Sequence, residues 1–88
     1  MRLRNQPLGS KNLIGARVES ARKEQGMKQK ELLAQLQVRG VDLSASGLSK
    51  LEGQVRYVTD FELLCFCDVL GLDLSELLRQ CQAERAAL

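Results

Sequence analysis

Signals that start or stop a helix recur at short intervals along this chain. Gly26, Gly53 and Gly71 each follow a segment with apolar residues at helical spacing, and glycine is the residue that most often ends a helix. The segments 59–62 (Thr-Asp-Phe-Glu) and 73–76 (Asp-Leu-Ser-Glu) have the pattern of a capping box, which opens a helix. Because each signal limits the helix beside it, the chain can form only a succession of short helices.

The apolar spacing between these signals predicts five helices. Asn12 is expected to cap the first and Ser44 the third. The approximate ranges are 13–25, 29–37, 45–51 or 52, 60–70 and 74–79. Aromatic residues are only 3% of the sequence, so Leu, Val, Ile and Met must build the core, and these favour helices here because no segment resembles a pair of strands. The predicted fold class is a compact all-α, five-helix domain.

A chain of 88 residues has room for one such domain. Residues 1–11 include the only proline and three basic side chains, and we expect either a flexible basic arm or a merely disordered terminus. The domain is predicted to cover residues 12–79. Residues 80–88 form a tail or an extension of the fifth helix.

The composition excludes most catalysis. Histidine is absent, which removes the usual general base and the common metal ligand. The sequence also lacks a glycine loop of the kind that holds phosphates, so we predict neither an enzyme nor a cofactor. Cys65, Cys67 and Cys81 lack disulfide or zinc spacing, and we interpret them as free thiols serving as small apolar residues. A redox switch or a metal site is the alternative for them.

We expect neither a signal peptide nor a membrane span in this sequence. Its basic start is interrupted by polar residues before any apolar run of signal-peptide length. No apolar run approaches the roughly 18 residues of a membrane span. We therefore expect a cytoplasmic protein without a membrane partner.

The charge is divided unevenly along the chain. Residues 1–56 carry eleven Lys and Arg against five Asp and Glu, a balance of +6, whereas residues 57–88 carry two against six, a balance of −4. A basic part suits a polyanion such as nucleic acid, and the acidic part suits something else.

Several short motifs occur in a fixed order along residues 14–78. They are Ile14 and Val18, Arg22, the run 26–29 (Gly-Met-Lys-Gln), Glu31-Leu32, the run 48–52 (Leu-Ser-Lys-Leu-Glu), the stretch 59–64, Leu70-Gly71, and the run 74–78 (Leu-Ser-Glu-Leu-Leu). Their order and spacing resemble the Cro/C1-type (XRE) helix-turn-helix family, the DNA-binding domains of lambda-type phage repressors and many small bacterial regulators. The resemblance implies a lambda repressor-like fold in a bacterial or phage-encoded protein, with the third helix in the major groove of double-stranded DNA.

The resemblance implies a recognition face on the third helix. It consists of Ser44, Ala45, Ser46, Ser49 and Lys50. Serine can donate to or accept from any base, the Ala45 methyl can touch a thymine methyl, and Lys50 can reach a guanine edge or a phosphate. A solvated helix surface is the alternative for Ser46 and Ser49.

The resemblance also assigns roles outside that helix. Gln29 would bond a backbone phosphate, or be a plain polar residue of the first helical turn. Arg22 and Glu52 would form a partly buried salt bridge that orients the third helix, in preference to a phosphate contact by Arg22.

Residues at two further places are candidates for backbone contacts. Arg56 lies with Tyr57 before the fourth helix, where family members often touch the DNA backbone, and Gln54 can join them; a solvated loop is the alternative. Arg2 and Arg4, with Lys11, could reach a groove or phosphates from the arm.

The sequence departs from the family pattern in three places. The turn between the second and third helices, at 37–43, is about five residues longer than usual, with Val41 and Leu43 able to plug the edge of the core. Leu33 stands where a small residue is customary, and Lys28 replaces the customary capping Thr or Ser. A longer turn and a bulkier side chain can compensate for each other, and they leave the angle of the recognition helix open.

Two functions are compatible with these observations. The first is a sequence-specific transcriptional regulator, a small repressor acting as a homodimer, whose contact would involve Leu74, Leu77, Leu78 and Leu88 unless these only close the core. The second is an antitoxin or interaction module that retains the fold and acts through a protein partner. The acidic residues of 57–88 favour this second function.

Overall fold

Five helices follow one another in the computed structural model, which describes residues 8–86. They are α1 (Gly15–Glu24), α2 (Gln29–Val38), α3 (Ala45–Glu52), α4 (Asp60–Leu70) and α5 (Leu74–Ala86). No strand occurs within residues 8–86. The prediction of an all-α domain of five helices is confirmed.

The caps of α3 and α4 are those that the sequence predicts. The Ser44 hydroxyl accepts a hydrogen bond from the Gly47 amide at 2.9 Å. Thr59 and Glu62 form a reciprocal capping box, with distances of 3.1 Å and 2.9 Å between each side chain and the other residue's amide. Gly71 ends α4 in the left-handed conformation at φ 67°. These local bonds fix where both helices begin and where α4 turns toward α5.

The starts of α5 and α2 are each held by one side-chain hydrogen bond. Asp73 accepts from the Glu76 amide at 2.8 Å, but the Glu76 carboxylate bonds Arg79 and Gln80 instead of reaching back. The predicted second capping box is therefore a single cap. At α2 the Lys28 ammonium can only donate, and the helix start is held by the Lys28 amide, which donates to the Glu31 carboxylate at 2.9 Å.

The ends of the outer helices also shift relative to the prediction. α1 begins at Gly15, two residues late, and its N-cap residue is Ile14 instead of the predicted Asn12. The Asn12 side chain still accepts from the Ile14 and Gly15 amides at 3.1 Å and 2.8 Å. α5 continues to Ala86, because its second half still has a residue to bury. Cys81 is 3% exposed, and its thiol donates to the Leu13 carbonyl.

The core lies where α1, α2, α3 and α4 meet around Phe66, which is fully buried. Its other apolar members include Val18, Leu32, Leu36, Leu48 and Leu51, each with no exposed surface. The three cysteines are unpaired and buried. Burial raises the pKa of the Cys67 and Cys81 thiols, so both are held in the neutral form that suits a core residue.

Two kinds of feature are absent from the described part of the chain. Within residues 8–86, no helix combines the length and the apolar character that crossing a membrane requires. The same residues contain no cluster of acidic and cysteine side chains able to hold a metal ion.

Candidate nucleic-acid interface

The extended turn between α2 and α3 folds back onto the core. The amides of Arg39, Gly40 and Val41 donate to carbonyls of the last turn of α2, each at 3.0 Å. Gly40 has φ 90°, a conformation that glycine adopts without strain. The chain is thereby turned so that Val41, 4% exposed, inserts into the core.

The bulky Leu33 lies opposite this turn. Leu33, Val41 and Leu43 line one cleft between α2 and the turn, and Leu33 and Leu43 are half-buried against the core. The long turn thus supplies apolar side chains where the larger leucine needs neighbours. These two departures from the family pattern occur at one place in the structure.

The five residues predicted as a recognition face lie at one end and along one side of α3. Ser44, Ala45, Ser46, Ser49 and Lys50 are all exposed. Leu48 and Leu51 on the opposite side are completely buried. α3 therefore presents a narrow surface of small polar side chains with a single long cation, Lys50.

A buried ion pair holds α3 against α1 from behind. Arg22 donates to both carboxylate oxygens of Glu52, from Nε at 2.8 Å and from Nη2 at 3.1 Å. The side chains are 8% and 1% exposed. Arg22 Nη1 also donates to the Met27 carbonyl at 2.9 Å. The guanidinium is thus engaged inside the domain, in the structural position that the resemblance implies.

Gln29 packs against α3 at the same carboxylate. Its Nε2 donates to Glu52 Oε1 at 3.0 Å, and its Oε1 accepts from the Ser49 hydroxyl at 3.4 Å. A candidate phosphate contact on α2 and a candidate base contact on α3 therefore share one hydrogen-bond chain with the buried ion pair.

The loop after α3 holds Arg56 close to α4. Its guanidinium bonds both carboxylate oxygens of Glu62 at 3.2 Å and the Tyr57 carbonyl at 3.0 Å. Burial raises the pKa of Glu62, but the Arg56 and Thr59 hydrogen bonds outweigh it and the net pKa is lowered. A phosphate contact by Arg56 would have to share a guanidinium that already has a carboxylate partner.

The basic arm lies partly outside the described residues, and Arg2 and Arg4 belong to that part. Within the described part, the Gly9 and Lys11 amides donate to the Gly53 and Gln54 carbonyls at 2.9 Å and 2.8 Å. The Lys11 ammonium lies 5.0 Å from the centroid of the Tyr57 ring. The segment that leads into α1 therefore runs beside the end of the recognition helix.

Two amide side chains that position α3 were not recognised from the sequence in this role. Asn12 donates to the Leu51 and Arg56 carbonyls at 3.1 Å and 2.7 Å. Gln54 donates to the Asn12 carbonyl at 2.9 Å and accepts from the Ala16 amide at 3.3 Å. The sequence indicates only that Asn12 can cap a helix. It does not indicate the bonds that position α3, because their partners are backbone groups about 40 residues away.

An exposed recognition helix, preceded by a turn and a second helix and anchored by buried polar groups, defines a helix-turn-helix DNA-binding domain. The sequence model of the Cro/C1-type HTH DNA-binding domain matches residues 17–80, and the chain belongs to this family. No curated protein and no solved structure matches the sequence.

Proposed function

We propose that the chain is a small sequence-specific transcriptional repressor that inserts α3 into the major groove of double-stranded DNA. The observation that carries the proposal is the exposed face of α3 backed by the Arg22–Glu52 ion pair. A rigidly held helix with small side chains can approach base edges closely, and its serines can bond whichever groups they meet.

Backbone contacts would set the register of α3 in the groove. Gln29 at the start of α2 and Arg56 after α3 would bond phosphates on either side, and Arg2 and Arg4 would add contacts from the arm. The +6 balance of residues 1–56 supports this assignment, because neutralising phosphates requires cations on the surface that meets DNA.

The repressor would act as a homodimer through α5 and the segment that precedes α1. Of the leucines predicted for this contact, Leu77 is 3% exposed and belongs to the core, Leu74 is half-buried, and Leu88 lies outside the described residues. Leu78 remains 43% exposed, and Leu13 beside it is 49% exposed. Both line one groove, which two copies could close together.

A gel-shift titration of the full chain on random-sequence duplex at low and moderate salt tests DNA binding. We expect binding at about 50 mM salt that weakens steeply by about 200 mM. Lys50→Ala should reduce the slope of log affinity against log salt by about 1. Arg79→Ala, an exposed cation on α5, is the matched control and should leave the slope unchanged. Absence of binding at the lower salt would overturn the proposal.

The homodimer and the repression need separate measurements. Sedimentation of the wild-type chain should show a dimer, and Leu78→Glu should give a folded monomer with weaker binding to a paired site. Half-sites selected in vitro should lie about 34 Å apart. Transcription from a promoter carrying that site should fall when the protein is added, and an increase would contradict repression.

A second function is an antitoxin or interaction module that acts through a protein partner. It is favoured by the −4 balance of residues 57–88 and by two exposed apolar side chains on α4, Phe61 and Leu64. In that case Phe61→Ser would abolish partner binding without affecting the salt-dependent gel shift. The same gel-shift titration separates the two functions, since the module would show no DNA binding of its own.

A further inference from the structure

We propose that Ser49 is a specificity-determining residue that can only accept hydrogen bonds from DNA, and that it selects adenine or cytosine at one position of each half-site. This inference rests on the proposed function, in which α3 lies in the major groove. It follows from the direction of each hydrogen bond between the buried ion pair and the helix surface.

The direction is set at Glu52. Its carboxylate is fully buried and accepts from Arg22 and Gln29. An ionised carboxylate has no proton to donate. The Gln29 side chain must therefore turn its nitrogen toward Glu52, because its oxygen there would place two acceptors 3.0 Å apart.

The orientation of Gln29 then fixes the hydroxyl of Ser49. With Nε2 on Glu52, the Gln29 oxygen faces Ser49 Oγ at 3.4 Å. An amide oxygen only accepts, so the single proton of the Ser49 hydroxyl is donated to Gln29. The Ser49 oxygen keeps its lone pairs, and the residue is exposed on the recognition face.

A hydrogen-bond acceptor in the major groove distinguishes adenine and cytosine from guanine and thymine. The exocyclic amino groups of adenine and cytosine are the donors there, whereas guanine and thymine present acceptors on their edges. An acceptor-only serine therefore favours adenine or cytosine. Ser46 lies on the same exposed face but outside this hydrogen-bond chain, so its hydroxyl can donate or accept.

In vitro selection of binding sites from a random duplex pool, with the full chain, tests the assignment. At one position per half-site the wild type should favour adenine or cytosine over guanine or thymine by roughly threefold to tenfold, the size of one hydrogen bond. Ser49→Ala should lose this preference at that position and keep the others. Ser46→Ala is the matched control and should leave that position unchanged.

Gln29→Ala tests the direction of the hydrogen bond rather than the presence of the hydroxyl. Without the Gln29 oxygen, the Ser49 hydroxyl recovers a proton to donate, so guanine and thymine should become acceptable at the same position. Selection at about 50 mM salt strengthens overall binding and so compensates for a phosphate bond that Gln29 would otherwise make. A purely structural role for Gln29 would lower affinity without changing the base preference.

The outcomes separate this inference from the function beneath it. A wild-type chain that enriches no sequence overturns the proposed function, and with it the assignment of Ser49. Enrichment of sites that Ser49→Ala leaves unaltered, or a preference for guanine or thymine at the position that Ser49 controls, overturns only the assignment. An unchanged preference in Gln29→Ala also overturns it.

Discussion

The recognition helix is attached to α1 at both ends of α1, and the two attachments use different chemistry. Near the C-terminus of α1, Arg22 and Glu52 form a buried ion pair. At the N-terminal end of α1, the neutral side-chain amides of Asn12 and Gln54 bond backbone groups, and Gly15 lies directly against the end of α3. α3 is therefore attached to α1 at two separate points.

The two attachments differ in how much stability is lost when one partner is removed. A buried charge that has lost its partner has no access to water. Removing one member of a buried ion pair is therefore costly. The hydrogen bonds of the Asn12 and Gln54 side-chain amides lie in partly buried surroundings, where water can replace a missing group. We therefore expect the charged attachment to dominate stability and the neutral one to adjust the position of α3.

Breaking the ion pair should have the largest effect. Glu52→Gln leaves the Arg22 guanidinium buried without a counter-charge, and we expect a loss of about 3–5 kcal/mol in the free energy of unfolding. Urea denaturation followed by circular dichroism measures it. The double variant Arg22→Met/Glu52→Leu is the control, because it removes both charges and should be more stable than Glu52→Gln. An unchanged unfolding midpoint in Glu52→Gln would show that the pair contributes little.

The close approach at Gly15 should come second. A Cβ there would lie 2.1 Å from the Leu51 carbonyl oxygen, a backbone atom that cannot move aside cheaply. Gly15→Ala should therefore lose about 2–3 kcal/mol of unfolding free energy and weaken DNA binding by displacing α3.

Gly47→Ala is the matched control, since both glycines lie in helices. Its Cβ would meet the flexible end of Leu43 at 2.9 Å, and alanine is the better helix former by about 1 kcal/mol. We expect Gly47→Ala to be nearly neutral in thermal unfolding. Equal losses at the two positions would contradict the close approach of α1 to α3.

The charged attachment could be predicted from the sequence, and the neutral one could not. Arg22 and Glu52 occupy recognisable positions in an ordered series of motifs, and the structure places them in contact. Helix boundaries followed from caps such as Thr59, which act within one turn. Asn12 and Gln54 bond carbonyls and amides, which every residue carries, so their partners depend on the finished packing.

The same reason explains two other contacts at the interface that the sequence does not predict. The Gln29–Ser49 bond spans 20 positions and depends on how closely α2 and α3 approach. The engagement of Arg56 with Glu62 depends on the path of an irregular loop. Local signals in the sequence determine neither distance.

Asn12 should have a moderate effect that separates capping from attachment. Asn12→Ala removes a helix cap and two donated bonds, and we expect a loss of about 1–2 kcal/mol in unfolding free energy. Asn12→Asp retains the acceptor for the Ile14 and Gly15 amides but places a carboxylate against the Leu51 and Arg56 carbonyls. It should be at least as destabilising in urea denaturation. Full stability of Asn12→Asp would mean that Asn12 serves only as a cap.

The partly buried pair Arg56–Glu62 sharpens the comparison from the opposite side, because its Arg56 side chain is 33% exposed and water can reach it. Burial raises the pKa of Glu62, but the Arg56 and Thr59 hydrogen bonds lower it below its usual value of 4.5. A lowered folded-state pKa stabilises the fold above that usual value, and the contribution is lost as the pH falls through the lowered pKa. Glu62→Gln keeps an acceptor for the Thr59 amide, so at about pH 7 we expect a loss below about 1 kcal/mol. Urea titrations at decreasing pH should show the gap to the wild type closing below pH 4.5. A gap that persists in acid would assign the loss to packing and not to the charge of Glu62. The comparison would then no longer show that burial is the reason why the Arg22–Glu52 pair dominates.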